Sequence, residues 1–166
     1  DVIHSVLVRG LWYLDAEKDP RGHIPVKGWA HALAHTADLM LVLGRNRQTS
    51  KVDLEKILQA IANKLVHSSN WIYIHGEDER LANTVTAIFK RDVVSDDFLK
   101  GWLKSFIEPE KSWGGAYVDE GRARAFHNVR NFLRSLWIAV RSSDDLPHKA
   151  EIESSIVESL NNLKPY

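Results

Sequence analysis

The residues best placed to do chemistry in this chain are His31, His35 and Asp38. Read as one helix at 100° per residue, His31 at zero puts His35 near roughly 40° and Asp38 near roughly 340°. Val42 falls in the same stripe at roughly 20°, and the rest of the circumference carries Trp29, Ala30, Ala32, Leu33, Ala34, Ala37, Leu39, Met40, Leu41 and Leu43, with Thr36 as the one other polar residue. A helix apolar nearly all round is expected to lie buried among neighbours, with two imidazoles and a carboxylate as its single polar stripe. Buried polar groups need partners. Three readings follow: side-chain bonds that fix how helices pack, a cavity holding a ligand, or a divalent metal site.

The metal reading rests on His31 and His35, since histidines four apart on a helix can bind one ion. Ala32 stands where the H-E-x-x-H motif has glutamate, so the base of that mechanism is missing. Asp38 lies about 10.5 Å along the axis from His31, too far for one ion to join both ends. Its expected role is to orient His35 from behind.

Other segments could face this stripe. The helix starting near Glu77 offers Glu79 and Asn83, with Arg80 beside them. A longer helix starting near Asp119 offers His127, Asn131 and Arg134, with Arg124, within about an 80° arc. An exposed polar face is the plainer reading for each. Arg122, Arg124, Arg130, Arg134 and Arg141 make the longer helix locally basic. Guanidinium forks there could hold a carboxylate or phosphate, or pair with nearby acids. Trp71, Tyr73, Trp113 and Tyr117 are read as loop aromatics covering helix ends, or as contacts for a partner.

The positioning elements follow from apolar period. Helices are expected from about Val2 to Lys18, Gly28 to Leu43, a Ser50 cap onward with Leu54 to Leu65, Glu77 onward, Ser95 to Ile107, Asp119 to Arg141, and Leu146 to Leu163. Asp19-Pro20-Arg21-Gly22 suits a type I turn. Only Trp71 to His75 alternates like a strand, too short to found a sheet. The fold expected is all-α in one domain over 1–166. The second, fourth and sixth helices start about 49 and 42 residues apart, near the roughly 40–47 of HEAT and armadillo units. Helical hairpins stacked as a short α-solenoid are the first reading, and a compact helix bundle the second.

Composition narrows the function classes. The chain has 166 residues, enough for one domain with a real core, and 22 Lys plus Arg against 22 Asp plus Glu. A zero net charge argues against a general nucleic-acid binder. No cysteine is present, which removes disulfides, thiolate metal sites and a cysteine nucleophile, and fits a reducing cytoplasm. No apolar run approaches a membrane span.

The run Arg21-Gly22, then Lys27-Gly28-Trp29-Ala30-His31 through His35, Ala37, Asp38 and Leu39 resembles the signature of a bacterial family known only as domain of unknown function 2785. Glu79-Arg80-Leu81-Ala82 resembles a later family segment. The resemblance implies an all-helical protein whose relatives are longer at the N-terminus, making this chain the C-terminal part of a larger protein. It carries no activity. Two functional expectations remain. One is a cytoplasmic helical-repeat domain binding a small molecule or protein through His31, His35, Asp38, Glu79, Asn83, His127, Asn131 and Arg134. The other is a hydrolase-like enzyme, with a divalent metal as its possible cofactor, using the same pocket.

Overall fold

The computed structural model describes residues 2–68, 70–109 and 113–166. They form seven α-helices: α1 (Val2–Ala16), α2 (Ala32–Arg45), α3 (Lys51–Val66), α4 (Glu77–Phe89), α5 (Asp96–Ile107), α6 (Glu120–Arg141) and α7 (Lys149–Asn162). A short 3₁₀ turn, Ala116–Val118, precedes α6. The fold is all-α apart from one two-stranded antiparallel ribbon, β1 (His23–Ile24) with β2 (Gly28–Trp29).

Helix starts follow cap chemistry. Ser50, Ser95 and Asp119 each accept a hydrogen bond from the backbone N–H three residues on. This satisfies a donor the helix itself leaves open. Contacts join α2, α4 and α6 in one row and α1, α3, α5 and α7 in another. α3 lies at the centre, touching α1, α5 and α6. Its Leu54, Ile57, Leu58, Ile61 and Leu65 are each 0% exposed. Each such side chain contributes about 1.5–3 kcal/mol of transfer free energy. The Trp102 indole of α5 also donates to the Leu58 carbonyl, at 2.7 Å.

The second helix departs from the sequence reading. It begins at Ala32, not Gly28, because the preceding residues pair as the ribbon, His23 with Trp29 and Ile24 with Gly28. Lys27 N–H bonds the Ile24 carbonyl at 3.1 Å, closing a turn with Pro25 and Val26 at its tip. Val26 has φ 69° there. Proline second and a positive φ third is type II turn chemistry, with a β-branched residue in a place that favours glycine. The ribbon was missed because it is so short, and because Trp29 and Ala30 fit a helical apolar period as well.

The stretch expected to alternate like a strand, Trp71 to His75, pairs with no strand among the described residues. Asn128 of α6, 1% exposed, holds it instead. The Asn128 amide oxygen accepts from Tyr73 N–H at 2.9 Å, and its amide nitrogen donates to the Trp71 carbonyl at 2.8 Å. Of the loop aromatics, Tyr73 and Trp113 are buried core covers, while Tyr117 is exposed.

Candidate functional site

The site is assembled where the ribbon, the start of α2 and the start of α4 meet. Gly76, with φ 83°, turns the chain into α4, and Glu77 is its first helical residue. Negative charge is favoured at a helix N-terminus. Glu77 is only 1% exposed, and its Oε2 accepts from His75 N–H at 2.8 Å. His31 sits across from it. Its Nε2 lies 3.0 Å from the His75 carbonyl and 3.5 Å from Glu77 Oε1. A carbonyl oxygen only accepts, so the His31 Nε2 carries the proton.

His31 is therefore not a helical residue on a wheel. It is the left-handed residue before α2, at φ 50° and ψ 33°. Its N–H donates to the Arg21 carbonyl at 3.0 Å, and its carbonyl accepts from His35 N–H at 3.1 Å. A non-glycine residue in this region is held at some cost by its surroundings, and such residues cluster at functional sites.

Rings pack around this centre. Trp29 stacks on His31 with centroids 4.8 Å apart and planes at 29°. His23 and His75 meet the Trp29 ring edge-on at 5.1 and 5.5 Å. His35 meets His31 edge-on at 5.8 Å and is itself exposed. Gly22 closes the back. A Cβ there would sit 2.3 Å from His75 Nδ1, so the backbone lies directly on the imidazole. That Nδ1 is buried and has no hydrogen-bond partner among the described residues.

The other expected site residues lie elsewhere. Asp38 does not orient His35; it pairs with Arg80 of α4, joining the two helices. Thr84 reinforces the same junction by donating to the Ala37 carbonyl at 2.9 Å. Glu79 and Asn83 are exposed on α4. His127 and Asn131 are half-buried on α6 and Arg134 is exposed. His127 Nδ1 faces Arg130 Nη2 at 2.8 Å, and Tyr117 lies 5.9 Å from its ring. Burial, then the Arg130 and Arg134 charges, push the His127 imidazole below its ordinary value. Because α4 lies between α2 and α6, this group is about two interhelical spacings from His31, about 16–20 Å.

His31 and His35 are thus brought together. The sequence reading missed Glu77, Trp29, His75 and His23 as their neighbours. Glu77 was legible only as helix-start charge, and Trp29 only as part of an apolar helix. Among the described residues, no group of three or more His, Cys, Asp or Glu side chains could hold a metal ion.

A family model described as "Protein of unknown function (DUF2785)" matches residues 2–138. The chain belongs to the DUF2785 family. No curated protein and no solved structure matches it. The DUF2785 match spans the ribbon and the starts of α2 and α4, so the whole ring cluster falls within the family region, while α7 lies beyond it. Among the described residues, no helix of this DUF2785 protein is long and apolar enough to cross a membrane.

Proposed function

We propose that this protein is a binding domain whose contact surface is centred on Trp29 and flanked by His23 and His35. The observation that carries the reading is Trp29 itself. It is 61% exposed, yet its indole is held between the buried His31 ring and the edges of His23 and His75. An exposed aromatic that is already immobilised loses little freedom on binding, which is the character of an interface hot spot. The left-handed backbone of His31 fits the same reading, since strain is kept where it positions a contact.

The ligand is a small molecule with a planar or cationic group, or a protein presenting one, because tryptophan faces attract both. Asp38 on α2 extends the surface to Glu79 and Asn83 on α4, and His127, Asn131 and Arg134 extend it onto α6. The setting we infer is a bacterial cytoplasm, with the helical hairpins stacked in the manner of HEAT units.

The hydrolase-like alternative has less support. Asp38 is engaged by Arg80, and His31 and His35 lack a third metal ligand among the described residues. The test is a ligand-observed NMR screen of planar aromatic and ammonium fragments on the native protein and Trp29→Ala. The expected result is hits that vanish in the variant while its thermal midpoint moves by less than about 3 °C. Hits indifferent to Trp29, or none at all, overturn the proposal.

A further inference from the structure

We propose that the cleft between the C-terminal ends of α1 and α3 is a second site, in which Lys64 takes a small aldehyde or ketone as an imine. The cleft has a volume of about 640 Å³, and Leu14, Leu33, Asn63, Ser68 and Tyr73 are among its lining residues. It is large enough for a small molecule.

Lys64 is half-buried there, whereas Lys51 and Lys56 of the same helix are exposed. Its Nζ donates to the Glu17 carbonyl at 2.7 Å, which fixes the amine at the cleft. Among the described residues that bond is to a neutral oxygen, and no carboxylate pairs with this amine. The nearby acids are partly occupied. The Glu17 carboxylate accepts from the Tyr13 hydroxyl at 2.8 Å and from Asp19 N–H at 2.7 Å, and Asp19 pairs with Arg21. Burial, then the Lys18 charge, lower the affinity of Lys64 for its proton; Asp15 and Glu17 oppose this. A lysine so placed presents more neutral amine at ordinary pH, and neutral amine is the nucleophile.

A proton carrier stands one helical turn on. His67 also lines the cleft, and its Nδ1 lies 2.8 Å from the Asn63 carbonyl. Nδ1 therefore carries hydrogen, and in the neutral ring Nε2 keeps its lone pair. In the step itself, the neutral Nζ attacks the carbonyl carbon and a C–N bond forms. The carbonyl oxygen leaves as water when C=N closes, taking both former amine protons. His67 moves them between nitrogen and oxygen. Nothing is oxidised or reduced.

The test uses the intact protein with glyceraldehyde and cyanoborohydride near neutral pH, followed by peptide mapping of the reduced adducts. Lys64 is expected to label faster than Lys51 or Lys56, because burial leaves more of its amine neutral. Its labelling rate should also level off at lower pH than theirs. His67→Gln should slow Lys64 and leave Lys51 unchanged. Labelling of Lys64 no faster than Lys51, or preferential labelling of Lys18, overturns the proposal. An unchanged Lys64 rate in His67→Gln overturns the proton-carrier role.

Discussion

His31, just before α2, and His127, within α6, are the same residue type, and they end in opposite situations. His31 is buried, and its Nε2–H donates a hydrogen bond to the His75 carbonyl beside the Glu77 carboxylate. His127 is half-buried, and its Nδ1 accepts a hydrogen bond from Arg130, with Arg134 adding a second positive charge. A donor bond can be made by a neutral or a charged imidazole. An acceptor bond is lost on protonation. The comparison teaches that a histidine's chemistry is set by the group facing it, and here that group comes from another element for His31 and from the next turn of its own helix for His127.

The strongest way to break this comparison is to remove the carboxylate on the His31 side. Glu77→Ala takes away a buried acceptor from His75 N–H and the charge beside His31. A loss of about 3 kcal/mol is expected by urea denaturation, the scale of a broken buried charged contact. Glu77→Gln keeps an acceptor oxygen and should lose less. Equal stability of Glu77→Ala and native protein would mean that the ring cluster is not anchored there.

Gly22→Ala probes the same region through packing. The added carbon would meet His75 Nδ1 at 2.3 Å, and the ring can yield only by disturbing its contact with Trp29. A loss of about 2 kcal/mol is expected, typical of overpacking. A shift in the Trp29 environment, read by the indole N–H resonance, should accompany it. Neutral behaviour on both counts would show the ribbon to be loosely held.

The smallest effect belongs to His127. Its folded-state proton affinity is lowered by burial and by Arg130 and Arg134, so the unfolded chain binds the proton more readily. Stability from this group is present above the unfolded value near 6.5 and falls as pH drops through that value toward the lower folded one. Replacing His127 by Gln should flatten that part of the stability profile. In an NMR titration the His127 ring should titrate below 6.5. Titration at or above that value would remove the electrostatic contrast with His31.

Much of the scaffold was legible beforehand. Apolar period and Ser or Asp caps located α3, α5 and α6 within a residue or two, because those signals act within one turn of chain. The ribbon was not legible. Two residues per strand leave no alternation to detect, and Trp29-Ala30 satisfies a helical pattern equally well. Nor was the Asp38 partner. Its spacing from His35 suggested a local bond, but Arg80, forty-two residues on, takes the carboxylate instead.

By itself the amino-acid sequence determined the helical class, most helix limits and the family, since these depend on local spacing and on one specific run around His31 and His35. Tertiary structure alone decided which atoms face the imidazoles. The left-handed turn at His31 removes it from its helix, and α4 and the loop before it then supply Glu77 and His75 from more than forty residues away. No periodicity along the chain encodes such a meeting, because it depends on how two helix starts and a ribbon pack together.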